Sequence, residues 1–203
     1  MHTEFNAIIE SLTSKGYAIF EDFLPQNEVH ALAEIALQHY ANGEMAAAKV
    51  GKSNNNASLN IRGDSTLWLE ENEANPAVQA YLCHMYALKH ALNQSLYVGL
   101  QSFETHFAVY PVGASYQKHL DQFRGANNTR LISSILYLNE AWQTQDGGEL
   151  RLYLEDDKYL DILPTGGKLV LFLSQQFWHE VLPAKRVRTS LTGWFRAREI
   201  LAI

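Results

Sequence analysis

The sequence has one cysteine, Cys83, so no internal disulfide can form, and a reducing compartment suits the chain. No apolar run approaches the roughly 20 residues that a helix needs to span a bilayer. A basic stripe is also missing. The 16 Lys and Arg residues are outnumbered by 22 Asp and Glu, for a net charge of -6. The positive residues are scattered apart from short clusters at Lys185–Arg188 and Arg196–Arg198. That balance lacks the electrostatic footprint of a nucleic-acid binder. The opening Met1-His2-Thr3-Glu4 lacks the basic-then-apolar pattern of a signal peptide. Repeats, low-complexity tracts and interdomain linkers are absent as well. The expectation is a cytoplasmic protein with neither a nucleic-acid nor a membrane partner.

What is present fits one domain spanning residues 1–203, because 47% hydrophobic content over that length can fill a core. The first hundred residues read as mainly helical support. Phe5 to Leu12 carries apolar residues at helical spacing. Pro25 opens a second helix, with Val29, Leu32, Ala33, Ile35, Ala36 and Tyr40 on one stripe. Pro76 to Leu92 repeats the pattern through Val78, Leu82, Met85, Leu88 and Leu92. Between them, residues 43–60 are rich in Ala, Gly, Lys, Ser and Asn, and read as a mobile loop.

From Phe103 the period changes to about 2. Strands are expected at Phe103–Tyr110, Arg130–Leu138, Glu149–Leu154, Tyr159–Leu163, Lys168–Leu173 and Ser190–Arg196, with Gly and Pro between them. Many short strands with turn signals point to a sandwich or barrel, of which the jelly roll is one form. The predicted class is α+β. A double-stranded β-helix core at 101–198 would carry the N-terminal helices on the outer face of its larger sheet.

The main chemical signal is His119-Leu120-Asp121. In an extended segment, residues i and i+2 point to one face, so an imidazole and a carboxylate converge. The best third ligand is His179, which follows the Leu169–Leu173 strand. Two His and one carboxylate leave open positions on an octahedral ion, the pattern of non-haem Fe(II) oxygenases. Zinc accepts the same donors, but the helical H-E-x-x-H of zinc proteases is absent. The remaining histidines, including His106, read as surface or core-edge residues. Arg188 lies nine residues past His179, at the start of another strand. Facing inward it would need an anion, and its guanidinium suits a carboxylate; facing outward it is one more surface charge beside Lys185 and Arg186.

Together, these residues resemble the 2-oxoglutarate- and Fe(II)-dependent dioxygenases. The likeness is to their prolyl 4-hydroxylase branch, which holds the HIF prolyl hydroxylases and bacterial relatives. Ala18-Ile19-Phe20-Glu21-Asp22-Phe23-Leu24 is similar to an early strand and D-D-F-L of that branch. Arg62-Gly63-Asp64 with Trp68-Leu69-Glu70 resembles its R-G-D-x-x-x-W-I-E. Tyr110-Pro111, Tyr137-Leu138-Asn139, Gly147-Gly148-Glu149-Leu150-Arg151, Asp161-Ile162-Leu163-Pro164 and His179-Glu180-Val181-Leu182-Pro183-Ala184 follow in the family's order, and Trp194 falls in register. The likeness runs from about Tyr17 to Arg196. Three places depart from it. The Tyr110–His119 turn is a residue shorter than in the animal enzymes, the stretch after Asp121 lacks their Asn-Pro, and the 43–60 loop has its own composition.

The resemblance implies Fe(II) on His119, Asp121 and His179. It implies 2-oxoglutarate held by Arg188 and Tyr137, flanked by Tyr110 and supported by Thr192. Dioxygen is the oxidant and ascorbate a reductant. Arg130 and Trp194 would line a prolyl pocket, and Arg62 and Asp64 would anchor the base of the mobile loop, unless they form an ordinary surface ion pair. The implied partner is a protein or peptide with a target proline, and the bacterial relatives suggest EF-Tu. Two alternatives stay open: the same chemistry on a small molecule, free amino acid or other side chain, and a non-catalytic jelly-roll sensor.

Overall fold

A computed structural model describes residues 2–48, 61–122 and 129–198 of the protein. Of the 43–60 loop, residues 49–60 lie outside the described residues, as do residues 123–126 of the segment after Asp121. The chain runs α1 (His2–Lys15), β1 (Tyr17–Phe20), α2 (Gln26–Ala41), β2 (Ala46–Ala47), β3 (Ser65–Trp68), α3 (Pro76–Leu96), β4 (Leu100–Tyr110), β5 (Tyr116–His119) and β6 (Arg130–Tyr137). It continues with β7 (Leu150–Tyr153), β8 (Tyr159–Ile162), β9 (Leu169–Leu173), β10 (His179–Val181) and β11 (Arg188–Ala197). The helices form where the 3.6 period places them. In α3, Asn75 caps the start by accepting from the Ala77 N–H at 2.9 Å, and Pro76 sits where its missing N–H costs nothing. Its buried residues Val78, Tyr81, Leu82, Met85, Leu88 and Leu92 make one stripe, and Tyr97 ends the helix in a left-handed conformation. Among the described residues no helix is long and apolar enough to cross a membrane.

The strands build two antiparallel sheets. The larger has seven strands in the order β1-β9-β6-β11-β4-β3-β2, and the smaller has four in the order β5-β10-β7-β8. The large sheet buries both faces, and strand parity sorts its side chains between them. Phe103, Phe107, Val109, Ile132, Leu136, Leu169, Leu171, Leu191 and Phe195 point to one face and pack with α1, α2 and α3. Ala108, Tyr110, Ile135, Tyr137, Val170 and Phe172 point to the other and meet Leu150, Leu152, Ile162 and Val181 of the small sheet. This is the expected α+β jelly roll, with helices on the outer face of the larger sheet.

Three strands of the large sheet, β1, β2 and β3, come from the residues before Leu100. Neither β2 nor β3 was expected. They lie at one edge, β2 pairing only with β3, and they are short and lack alternation. Edge strands need little apolar patterning, so periodicity misses them.

One position on β11 tolerates no side chain. A Cβ on Gly193 would lie 2.6 Å from the Glu104 carbonyl oxygen and 2.8 Å from Thr105 Cβ. Gly193→Ala therefore forces β4 and β11 apart and is expected to cost about 1–3 kcal/mol, the usual range for overpacking. A urea-unfolding midpoint unchanged from the parent would contradict that close packing.

Candidate metal centre and its pocket

His119 ends β5 and His179 begins β10, and the two face each other as register partners across the small sheet. Their Nδ1 atoms lie 2.7 and 3.1 Å from the carbonyl oxygens of Gln117 and Phe177, each two residues back. A carbonyl only accepts, so both Nδ1 atoms carry the proton and both Nε2 lone pairs are left to coordinate. Those Nε2 atoms lie 3.5 and 3.6 Å from the same oxygen, Oδ1 of Asp121. The other carboxylate oxygen, Oδ2, accepts from Ser133 Oγ at 2.6 Å and from Trp194 Nε1 at 2.9 Å.

The protonation states suit a cation. Burial alone would raise the Asp121 carboxyl, but the neighbouring histidines and Ser133 outweigh it and hold the group well below the usual carboxylate range. Burial pushes His179 down to about 4, so its imidazole is neutral near pH 7. One carboxylate and two imidazole rings, with donor atoms all within 4.8 Å of one another, can hold an ion about 2 Å from each. Among the described residues they are the group of this kind that the fold brings together.

The site opens into a cavity of about 550 Å³. Arg188, the first residue of β11, lines it and is buried to 2% exposure. Its Nε donates to the Gly148 carbonyl at 2.9 Å, and its guanidinium lies 5.0 and 5.1 Å from the ring centres of Tyr110 and Tyr137. Gly148 makes room for it. A Cβ there would lie 2.8 Å from Ala184 Cβ and 3.3 Å from Arg188 Cδ, and its φ of +75° already favours glycine. No carboxylate pairs with Arg188 among the described residues. Tyr137 Oη is buried beside it with no hydrogen-bond partner, and burial pushes that phenol up to about 12. An unbalanced cation and an unsatisfied hydroxyl on one cavity fit a carboxylate ligand, which would accept from both. Thr192 lies further along the cavity-facing side of β11, and Tyr110, whose phenol burial also raises, closes the wall beside Arg188.

The other expected residues also line the cavity or support its wall. Arg62 and Asp64 are not a surface pair. They form a two-pronged ion pair of 2.6 and 2.8 Å, with the Asp64 side chain fully covered. The Arg62 guanidinium also stacks over the Tyr116 ring at 4.8 Å, and Tyr116 stacks on His119 at 3.6 Å. Arg130 lies 3.6 Å over the Trp194 ring and bonds to Glu104 at 2.7 Å.

Several wall residues escaped sequence reasoning, Trp68 and His106 among them. Trp68 was matched to a motif without a role, yet it packs 4.8 Å from His106 and 6.1 Å from Trp194. His106 was assigned to the surface or core edge. It is fully buried in the cavity wall between Trp68 and Trp194. Its parity with Tyr110 on β4 was the available signal.

His106 is held down to about 4, first by burial and then by the nearby Arg62 charge. The unfolded chain therefore takes up a proton near pH 6.5 that the folded chain refuses until about pH 4. Stability is full above 6.5 and falls as pH drops through that window. Denaturation of the metal-free protein at several pH values should show this. His106→Gln should flatten the slope by about one proton, or ~1.4 kcal/mol per pH unit. An unchanged slope would place the imidazole in solvent.

The family model of the 2OG-Fe(II) oxygenase superfamily matches residues 105–196. A solved Pseudomonas putida prolyl-4-hydroxylase is 44% identical and has a TM-score of 0.86, covering 96% of this chain and 99% of that one. A prolyl hydroxylase from Trichoplax adhaerens, solved with a hypoxia inducible factor oxygen degradation domain peptide fragment, is 28% identical with a TM-score of 0.85 over 95% of this chain and 88% of its own. Human Egl nine homolog 1 is 27% identical over 93% of this chain. The hypoxia-inducible factor prolyl hydroxylase of Caenorhabditis elegans is 28% identical over 93% of this chain. The chain spans only 45% and 27% of those two proteins' lengths. With a metal triad and a carboxylate-ready arginine on one cavity, the chain belongs to the 2OG-Fe(II) oxygenase superfamily, on the branch that holds these prolyl hydroxylases.

Proposed function

We propose that the protein hydroxylates a prolyl residue, at its 4-position, in a protein substrate, using Fe(II), 2-oxoglutarate and dioxygen. The observation that carries this reading is the buried Arg188, with no carboxylate partner among the described residues, on the same cavity as the His119–Asp121–His179 triad. When bound, iron and 2-oxoglutarate supply the oxidising chemistry: one oxygen atom enters the target C–H bond, and 2-oxoglutarate leaves as succinate and carbon dioxide.

The protein's own work is to hold and to exclude. His119, Asp121 and His179 would hold the iron. Arg188 would grip the far carboxylate of 2-oxoglutarate through parallel N–H donors, and Tyr137 Oη would donate to the same group. Tyr110 and Thr192 bound that subsite. Ile135, Leu150 and Val181 make part of the wall apolar, which keeps water away and strengthens the charge pairing at Arg188.

The target would enter where Trp68, His106 and Trp194 gather, a surface suited to a compact apolar ring, with Arg130 stacked on Trp194. Arg62 and Asp64 would brace that side through Tyr116. A protein target is favoured by the Trichoplax relative's peptide complex. The likeness to bacterial relatives makes EF-Tu the first target to try. Ascorbate as reductant and a cytoplasmic location complete the reading.

Arg188→Lys is expected to raise KM for 2-oxoglutarate about 10–100-fold while leaving Mn(II) affinity within twofold, because an ammonium cannot make the paired contact. An unchanged KM would remove Arg188 from the co-substrate site. Incubation with EF-Tu and a proline-containing peptide library, read by mass spectrometry, should find one added oxygen on proline. Succinate release without any oxygenated proline would turn the reading toward a small-molecule target.

A further inference from the structure

The three ligands are not held alike. His119 and His179 sit on strands, and each is pinned by a carbonyl of its own strand approach. Asp121 lies two residues past the end of β5, beyond the ladder that fixes the histidines. Its orientation must come from elsewhere, and the structure shows the source. Ser133 on β6 and Ser174 just after β9 are both fully buried, with their Oγ atoms 2.9 Å apart. Ser133 Oγ is also 2.6 Å from Asp121 Oδ2.

The proton directions follow from inventory. Ionised Asp121 only accepts, so the single Ser133 proton goes to Oδ2. Ser133 must then accept from Ser174, whose proton points toward Asp121. Ser174 acts a second time through its backbone, because its carbonyl accepts from the N–H of Gln122, the residue after Asp121, at 3.3 Å. With the Trp194 indole as a second donor at 2.9 Å, Oδ2 is committed to the protein.

We infer that Ser133 and Ser174 are positioning residues that keep Asp121 a one-oxygen ligand, leaving the coordination positions that the co-substrate needs. This rests on the iron and 2-oxoglutarate reading above. A carboxylate free to turn can offer both oxygens to an ion and so occupy a position meant for the 2-oxoglutarate chelate. The hydroxyl relay opposes that turn by giving Oδ2 one donor, Ser133, beside the one from the Trp194 indole. Trp194 adds a connection, because the same indole that donates to Asp121 forms part of the target-facing wall.

The test reads binding rather than turnover. Mn(II) affinity is measured by electron paramagnetic resonance. Co-substrate affinity is measured anaerobically from the visible band of the Fe(II)–2-oxoglutarate complex. Ser133→Ala is expected to weaken 2-oxoglutarate binding to the metal-loaded protein by about 10–100-fold, the usual effect of losing a ligand's hydrogen-bond partner. It should also shift the band. Ser133→Thr keeps the hydroxyl and should restore both. Ser174→Ala should fall between parent and Ser133→Ala, and it carries the test if Ser133→Ala fails to fold.

If both alanine variants bind Mn(II) and 2-oxoglutarate within twofold of the parent, with the same band, the serines are packing residues and the inference is overturned. Equal losses in Ser133→Thr and Ser133→Ala would also overturn it. If the parent itself binds neither Mn(II) nor 2-oxoglutarate, the metal-site reading fails, and this inference fails with it.

Discussion

The pairing of β10 with β5 on one side and β7 on the other sets His179 directly across from His119. Side-chain direction alternates along a strand, so a slip of one residue in that register would turn His179 out of the cavity and bring Glu180 in. The register is protected by what surrounds it. Val181 and Leu150 pack inward beside the histidine, while Glu180 faces outward to accept from the Tyr153 hydroxyl at 2.7 Å. The metal site is therefore a consequence of ordinary sheet packing, in which burying the apolar residues of β10 on the correct face delivers the imidazole.

The same logic organises the large sheet. On β11 the odd-numbered residues Leu191 and Phe195 pack under the helices, which frees the even-numbered face for Arg188, Thr192 and Trp194. The helices contribute no donor to the triad. They cover one face of the sheet, so that the other can carry a cation and a row of polar groups that no apolar core would accept. Burial on one side supports chemistry on the other.

Some of this was legible in the sequence, for identifiable reasons. His119 and Asp121 are two residues apart, so an extended chain points both to one side, although Asp121 itself lies past the end of β5, and the spacing around His179 and Arg188 matches a family pattern. The helices were readable because each buries one face only. His106 was hard to read. From Phe103 to Tyr110 nearly every β4 residue is buried, so apolar alternation is weak there and the shared parity with Tyr110 was the one signal left. For Arg62 and Asp64 the resemblance implied a loop anchor, but the residues alone left a surface pair open, because β3, which carries the chain from them past β4, lacks a strand pattern. The Ser133–Ser174 relay joins residues 41 apart through side-chain oxygens, and short-range spacing carries no trace of that.

The alanines at one edge of the cavity have a consequence for how such a protein diversifies. Ala46, Ala47 and Ala48 line the cavity, and β2 joins the sheet through β3 alone. The methyl groups of Ala46 and Ala47, exposed on that peripheral ribbon, can be exchanged for larger, charged or aromatic groups without disturbing the helix-side core, whereas Ala48 is buried and its N–H donates to the Asp64 carbonyl. The fold thus separates the chamber that holds the triad and Arg188 from a rim whose exposed side chains can change one residue at a time. New recognition can be acquired there while the oxidising apparatus stays intact.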